Sequence, residues 1–406
     1  MSSATDSATA DASPAPELPL HMRRNGFDPV PDLAAVRAST GITRFTTPFG
    51  ADAWLVTRHA DVRSLLGDAQ RFSTAAYRPD FGLPPEKAAE LNRGNLLNCD
   101  PPEHTRLRRM LTPEFTVRRM RRLQPRIEEI VGDHLDAMER AGSPRDLVAD
   151  FALPIPSLVI CELLGVPYED RAEFQVRTGK ALDTSLPGEE RARNNVEQRT
   201  YMRELVERAQ ADPGEDLLGM LVREHGDAVE AADLTGIASL LLVAGHETTA
   251  SMLGLGTLAL LRHPDQLALV RDEPERIGPA VEELMRWLSI VHSGTPRMTT
   301  AEVEIAGQVV PAGSTVVFAL PGANRDDELV DDPDALDVTR KPGNHVGFGH
   351  GVHHCVGAPL ARMEMCTAFP ALLRRFPNLR AVTPDDEIEF RAFHFVYSLK
   401  KLEVAW

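Results

Sequence analysis

The feature that most constrains the fold is an apolar segment, residues 237–261, that is interrupted by polar residues at its centre. The interruption consists of His246, Glu247, Thr248 and Thr249. A helix capped by Asp233 and ending near Arg262 would span about 45 Å and, being apolar on nearly every face, would lie in the core. Polar side chains are costly there unless they meet water, a ligand or polar partners. The sequence therefore predicts a long central helix with a polar site halfway along it.

The rest of the hydrophobic pattern predicts mainly helices. Apolar and polar residues alternate over 42–57, as in a β-hairpin, and the pattern over 58–66 predicts a helix. The stretch 68–97 is rich in residues typical of loops. Helical periodicity dominates from residue 102 to about 261. The later predicted elements are a helix over 276–287, a hairpin over 303–320, an irregular meander over 324–351, a helix over about 358–375 and a short β-rich tail. The expected fold class is mainly α with a minor β-sheet region.

Composition and charge narrow the class of protein. The 406 residues are 43% apolar, which is ordinary for a globular chain, and four cysteines are too few for a disulfide scaffold. Sixty acidic against 44 basic residues give a net charge of −16, which disfavours nucleic-acid binding. The N-terminus lacks the features of a signal peptide, and no uninterrupted apolar stretch is long enough to span a membrane. We expect a cytoplasmic monomer with a disordered lead-in over residues 1–19 and a single domain over 20–406.

Chemistry-bearing residues are densest between residues 345 and 359. Within this loop, glycines that permit positive φ and close backbone approach are Gly347, Gly349, Gly351 and Gly357. A helix is predicted to begin just past Cys355, so its sulfur would lie near free backbone N–H groups and the positive end of the helix dipole. Both effects favour a thiolate, which on a glycine loop is a metal ligand or a nucleophile.

Three interpretations of this loop compete. A buried structural cysteine in a turn is the plainest. Zinc binding by Cys355 with His350, His353 and His354 is a second, but the spacing is crowded for a tetrahedral set and no Cys-x2–4-Cys half-site accompanies it. The third is haem iron with an axial thiolate ligand.

The loop resembles a known family. Phe348, Gly349, His353, Cys355 and Gly357 match, position for position, the Phe-Gly-x-Gly-x-His/Arg-x-Cys-x-Gly ligand loop of the cytochrome P450 superfamily. The resemblance covers all of the chain but the lead-in. It implies the cytochrome P450 fold, with a long central helix and a meander before the thiolate loop. It also implies haem b with Cys355 as the iron ligand and the other four residues beside the cofactor.

The centre of the long helix resembles the oxygen-binding motif of the same superfamily. Ala244 and Gly245 would line the O2 groove, and Glu247 with Thr248 would supply the protons that splitting the O–O bond requires. From the residues alone, the Thr248 hydroxyl can bond the carbonyl of Ala244 and loosen the helix. A threonine satisfied by its own backbone and a partnered glutamate is the structural alternative.

Two further sets of residues match the family. Glu283 and Arg286 resemble the structural Glu-x-x-Arg pair that braces the meander; Ala335 stands where a third, arginine member often lies, and Arg340 is a candidate replacement. The haem propionates would be bound, according to the resemblance, by His104, Arg108, Arg297 and His353, with His345 as a further candidate. Without the resemblance to the family, His104 and Arg108 would be interpreted as residues on a solvent-exposed face of a helix.

A basic run suggests a redox partner. Residues 106–126 contain eight arginines and one acid, Glu114, in an acidic chain. A positive patch there would steer an acidic ferredoxin, which carries electrons from NAD(P)H through a reductase. The run contains a single aromatic residue, Phe115, and the chain is acidic overall, so nucleic acid is the less favoured partner.

Sequence says least about the substrate. By resemblance its walls come from segments 73–98, 174–200, 288–296 and 391–398, with His292 and Phe395 as named candidates. These mostly apolar segments suit a bulky, largely apolar molecule. The predicted activity is a haem-thiolate monooxygenase that hydroxylates or epoxidises a polyketide or macrolide.

Other activities stay open. A terpenoid, a steroid or a xenobiotic is the alternative substrate. A peroxide-driven peroxygenase is disfavoured by the presence of Glu247 and Thr248. A non-catalytic haem sensor would need the thiolate loop but no proton relay.

Overall fold

The computed structural model describes residues 18–47, 50–77, 85–167, 170–226 and 228–406. The predicted lead-in lies, up to residue 17, outside the described residues. The helices are α1 (Pro31–Ala38), α2 (His59–Leu66), α3 (Pro85–Asn92), α4 (Glu103–Leu111), α5 (Val117–Met120), α6 (Gln124–Ala141), α7 (Pro154–Leu164), α8 (Arg171–Leu182), α9 (Gly188–Ala211), α10 (Leu217–His225), α11 (Ala231–Arg262), α12 (Pro264–Asp272), α13 (Ile277–Leu288), α14 (Leu320–Ala323) and α15 (Ala358–Arg375). The mainly helical prediction is confirmed.

The strands are short and form small sheets. They are β1 (Arg24–Asn25), β2 (Asp28–Pro29), β3 (Ile42–Thr46), β4 (Asp52–Val56), β5 (Phe72–Ser73), β6 (Arg145–Asp146), β7 (Thr295–Thr299), β8 (Val303–Ile305), β9 (Gln308–Val310), β10 (Thr315–Phe318), β11 (Arg380–Ala381) and β12 (Glu403–Ala405). The largest sheet has the order β3-β4-β10-β7-β5, with β10 parallel to β4 and antiparallel to β7. In that register Val316 lies opposite Arg297, which places Arg297 in an inner strand.

The central helix α11 runs through the core, as predicted. Its 32 residues span about 48 Å and pack against α7, α9 and α15. Gly245 permits the close approach of α7, because a Cβ there would lie 2.9 Å from Ile160 Cδ1. The predicted cap was wrong: Glu230 occupies the N-cap position, and Asp233 lies inside the first turn.

The reason for the different start is a tertiary ion-pair cluster. The carboxylate of Asp233 accepts hydrogen bonds from Arg93 Nε at 3.0 Å and Arg106 Nη2 at 2.7 Å. Two guanidinium groups from neighbouring segments are stronger partners for a carboxylate than its own backbone N–H groups. The helix can therefore begin three residues earlier, at Ala231.

Two other segments differ from the predictions. The expected loop 68–97 contains strand β5 and helix α3, although its residues 78–84 lie outside the described part of the chain. In segment 303–320 only β8 and β9 form a hairpin, while β10 pairs with β4 and β7 instead. The meander is confirmed, and α15 has the predicted bounds. Within the described residues, none of the helices has the length and apolarity to cross a membrane.

Candidate functional site

The Cys355 loop is a tight backbone cradle before α15. The Cys355 N–H donates to the Phe348 carbonyl at 2.9 Å, and Gly349 and Gly351 have φ of +70° and +71°. A Cβ at Gly351 would lie 2.5 Å from the Leu66 carbonyl oxygen, so the loop presses against the end of α2 at a position only glycine fits. The Cys355 side chain nevertheless keeps accessible surface.

The surroundings of Cys355 act in opposite directions on the pKa of its thiol. Protein atoms that crowd the sulfur raise the pKa of the Cys355 thiol, while backbone N–H groups of Gly357 and Ala358 and the charges of Arg108 and Arg362 lower it. The net direction is upward. The N–H groups at the start of α15 thus lower the pKa of the thiol, as predicted, but they are not sufficient to deprotonate Cys355.

A partly buried charge network holds this loop to α13. The carboxylate of Glu282 accepts from Arg362 Nε and Nη2 at 2.6 and 2.9 Å and from His345 Nε2 at 3.1 Å. The Arg362 guanidinium stacks 4.3 Å from the Phe348 ring centroid. Burial raises the pKa of Glu282, but hydrogen bonds from Arg362 and His345 outweigh it and lower that pKa to about 2. His345 is thus a partner of Glu282, and the sequence analysis missed Glu282 and Arg362.

The neighbouring Glu283–Arg286 pair forms as expected. Arg286 donates to both oxygens of Glu283, at 2.7 and 2.8 Å, and to the carbonyls of Asn324 and Pro333 in the meander. Arg340 Nε lies 3.2 Å from Glu283 Oε1 and supplies the third charge. Backbone carbonyls and Arg340 together replace the arginine that Ala335 cannot provide.

Four basic side chains converge near Cys355. The rings of His104 and His353 lie 4.3 Å apart, and three of their four ring nitrogens are buried without a hydrogen-bond partner among the described residues. Burial, followed by the charge of Arg297, lowers the pKa of His353 to about 3, and burial lowers that of Arg297 to about 10. Within the described residues, neither Arg108 nor Arg297 has an ion-pair partner. Such a cluster fits a buried group that carries two carboxylates.

The centre of α11 has the predicted local bond. The Thr248 hydroxyl donates to the Ala244 carbonyl at 2.6 Å, and Ala244 is exposed although most of the helix around it is buried. Glu247 is 3% exposed, and burial raises its pKa. Its partners come from other elements: Thr178 of α8 and Arg391 before the tail.

Comparisons with known proteins decide the family. A family model described as Cytochrome P450 matches residues 278–402. The chain is 50% identical to cytochrome P450 FAS1 of Rhodococcoides fascians over 396 residues, covering 96% of this chain and 99% of the relative. This chain belongs to the cytochrome P450 family. Its members are haem-thiolate oxidoreductases that use O2, and the enzyme class predicted from the ligand loop is confirmed.

Solved structures of other cytochromes P450 share the fold. P450 StaH from glycopeptide antibiotic A47934 biosynthesis is 45% identical with a TM-score of 0.85, covering 96% of this chain and 100% of that chain. CYP105P1 in complex with filipin I is 41% identical with a TM-score of 0.89, covering 95% and 97%.

The remaining predicted residues of this cytochrome P450 differ in exposure. Phe395 is half-buried, and its N–H donates to the Leu182 carbonyl, which joins segment 391–398 to α8. His292 has no exposed surface, and its Nε2 lies 2.6 Å from the His394 carbonyl. Burial lowers the pKa of His292 to about 3. The His292 ring therefore lies beneath the segment 391–398.

The basic run of the cytochrome P450 is smaller than its sequence suggests. Arg106, Arg119 and Arg126 are paired with nearby carboxylates. The arginines of the run that are exposed and without an ion pair among the described residues are Arg109, Arg118, Arg121 and Arg122. The free charge therefore lies on the end of α4 and around α5.

Proposed function

We propose that this cytochrome P450 binds haem b through the Cys355 thiolate and inserts one oxygen atom of O2 into a bulky, largely apolar secondary metabolite. The observation that carries the proposal is the cluster of four basic side chains that have no carboxylate partner among the described residues and lie near Cys355, an exposed residue. When bound, a thiolate-ligated haem activates O2 so that one atom enters a C–H or C=C bond and the other leaves as water.

The basic cluster has a specific task in this proposal. His104, Arg108, Arg297 and His353 would bind the two haem propionates, whose charges need compensation when buried. The buried ring nitrogens of His104 and His353 would gain the hydrogen bonds that they lack within the protein. Residues proposed to contact the haem ring or its ligands are Ala244, Gly245, Phe348, Gly349 and Gly357.

The polar centre of α11 would deliver protons. Thr248 is held by the Ala244 carbonyl with its hydroxyl in the exposed part of the helix, and Glu247 is the acid next to it. A positioned acid accelerates proton transfer by about 10²–10⁴-fold. Thr248→Ala should therefore release more hydrogen peroxide per NADPH oxidised while substrate still binds.

The neighbouring hydroxyl gives a matched control. Thr249 lies one residue further along α11 and is 3% exposed, so Thr249→Ala removes the same atoms without touching the proposed relay. Peroxide and product are measured for both variants with the same ferredoxin. An unchanged product yield per NADPH in Thr248→Ala contradicts the relay assignment.

The substrate proposal rests on the similar chains and on the mostly apolar walls. One similar structure comes from glycopeptide antibiotic biosynthesis, which supports a secondary metabolite as substrate. Another contains filipin I, and on this we propose a polyketide or macrolide natural product. The protein is titrated separately with filipin I, with a terpenoid, with a steroid and with a drug-like aromatic compound, and the low-to-high-spin shift is recorded for each. The products are identified by mass spectrometry. A shift with only the terpenoid or steroid selects the alternative class. A shift with no oxidised product favours the non-catalytic haem sensor.

Electrons would come from NAD(P)H through a ferredoxin reductase and a ferredoxin. The ferredoxin would dock near the 106–126 run, where Arg109, Arg118, Arg121 and Arg122 form a positive patch on an acidic chain. A cytoplasmic location and a monomeric state belong to the same proposal. Reversal of two of these charges should slow reduction by ferredoxin and weaken its salt dependence, measured by stopped flow.

A further inference from the structure

A buried hydrogen-bonded chain lies behind the catalytic centre of α11. Thr178 Oγ1 of helix α8 lies 2.9 Å from His246 Nδ1 and 3.3 Å from Glu247 Oε1. The three side chains are at most 4% exposed. The backbone of α8 also passes close by, because a Cβ at Gly179 would lie 3.8 Å from Glu247 Oε1. Neither His246 nor Thr178 has a role in the proposed reaction described so far.

The buried ring of His246 favours one tautomer. Burial lowers the pKa of His246 to about 4, so the ring is neutral and carries one N–H. In the part of the chain that the structure describes, His246 Nε2 is buried without a partner, so a proton on Nε2 would be an orphaned buried donor there. Orphaned N–H groups are the rarer defect in protein interiors. The proton therefore belongs on Nδ1, where it can be donated to Thr178 Oγ1.

The direction of the next bond follows from this tautomer. A hydroxyl has one proton to donate, and Thr178 Oγ1 faces both the Gln175 carbonyl at 3.2 Å and Glu247 Oε1. With His246 donating into Oγ1, the hydroxyl keeps its own proton for one of these acceptors. When Glu247 carries its charge, its carboxylate is the stronger acceptor of the two.

We propose that His246 and Thr178 are positioning residues that orient the Glu247 carboxyl group through the chain Nδ1–H to Oγ1–H to Oε1. This inference rests on the proposed role of Glu247 as the proton-delivering acid. It makes helix α8 part of the relay, because the hydroxyl that holds Glu247 comes from α8. The second carboxyl oxygen lies 3.8 Å from Arg391, in the segment that also bonds to the end of α8.

The consequence is a link between substrate contact and proton delivery. Both partners of Glu247 belong to segments proposed as substrate walls, 174–200 and 391–398. At 3.3 Å the Thr178–Glu247 contact lies at the outer range of a hydrogen bond, so a small shift of α8 on substrate contact would change how firmly Glu247 is oriented.

The tautomer of His246 provides the most direct test. Long-range proton–nitrogen NMR is recorded on the ¹⁵N-histidine-labelled protein in its diamagnetic ferrous carbon monoxide complex, and His246→Asn assigns the His246 signals among the 13 histidines. Protonated Nδ1 with bare Nε2 is expected, and Thr178→Val should alter the His246 signals while Thr178→Ser preserves them. Protonated Nε2 in the unsubstituted protein would overturn the proposal.

A turnover measurement uses the same matched pair. Serine keeps the hydroxyl of Thr178, and valine keeps its shape without the hydroxyl. At saturating ferredoxin with O2 as acceptor, Thr178→Val should slow NADPH oxidation about fivefold, the effect of one ordinary hydrogen bond, and Thr178→Ser should restore most of it. Equal rates in the two variants overturn the positioning role. Loss of the thiolate-type carbon monoxide band in the unsubstituted protein would instead refute the proposed function, while the tautomer would still be measurable in any diamagnetic form.

Discussion

The two charged sites of the core are built differently. On the ligand side, defined as the Glu282, Arg362 and His345 network with Glu283 and its arginines, donors and acceptors meet mostly at 2.6–3.2 Å in bidentate pairs. On the relay side, defined as Glu247 with Thr178, His246 and Arg391, the contacts of the Glu247 carboxyl group are 3.3 and 3.8 Å. The ligand side is a fixed support, whereas the relay side is held by weak contacts.

This difference suits two different tasks. A metal ligand works best when its geometry is over-determined by neighbouring hydrogen bonds. A group that transfers protons must change its partner during the reaction, so a single strong ion pair would hold it back. Glu247 has one neutral hydroxyl and one distant guanidinium, whereas Glu283 has two arginines.

Removal of the Glu283 charge should lower the free energy of unfolding more than any other proposed substitution. Glu283→Gln leaves Arg286 and Arg340 without their carboxylate, and breaking a buried pair costs about 3–5 kcal/mol. Both Glu283 and Arg286 are 4% exposed, so solvent cannot replace the lost charge. Urea denaturation measures the free energy of unfolding. Glu207→Gln, in an exposed pair with Arg203, is the control and should change it by less than about 0.5 kcal/mol.

Loss of one unpaired arginine near Cys355 should reduce haem binding without unfolding the protein. Arg297→Gln would remove the proposed charge-assisted bond to a propionate, at a cost of about 2 kcal/mol or roughly thirtyfold in haem Kd. Transfer of haem to apomyoglobin measures the affinity. Arg109→Gln is the control, since Arg109 is exposed on the same helix as Arg108. Equal transfer rates for the Arg297 and Arg109 variants would refute the propionate assignment.

Acid should separate the two sides through the pH dependence of stability. The pKa of His246 is lowered to about 4 by burial, so the unfolded chain binds the extra proton as pH falls below 6.5 and the folded chain does so only near pH 4. Stability contributed by neutral His246 is complete above pH 6.5 and is lost as pH falls to about 4, by up to about 1.4 kcal/mol per pH unit. The Glu282 contribution is complete above pH 4.5 and is lost only as pH falls towards 2.

Two variants place these effects in different pH windows. His246→Asn should flatten the pH dependence of the unfolding free energy between pH 6.5 and 4.5. Glu282→Gln should leave the slope in that window unchanged and alter it only below pH 4.5. Identical slopes for His246→Asn and the unsubstituted protein would show that the histidine is not buried in its neutral form.

The sequence predicted the parts of the site that lie in short motifs. The bond from Thr248 to Ala244 and the pair of Glu283 and Arg286 each involve residues three or four apart on one helix, so periodicity reveals them. The contact of Arg340 with Glu283 was anticipated only because Ala335 departs from the family pattern.

The missed residues join distant parts of the chain. Arg362 and Glu282 lie 80 residues apart, and Thr178 and Glu247 lie 69 residues apart. No local pattern encodes such contacts, because they depend on how helices pack. Asp233 shows the same limit, since two arginines from other segments outcompeted its expected role as a helix cap.

The central claim is that Cys355 provides the sulfur ligand of haem iron. The most direct measurement is the carbon monoxide difference spectrum of the reduced protein, with Cys355→Ser beside Cys99→Ser, a half-buried cysteine elsewhere in the chain. The unsubstituted protein and Cys99→Ser should both show the red-shifted Soret band of a thiolate ligand, and Cys355→Ser should lose it completely. An unaltered band in Cys355→Ser would contradict the account.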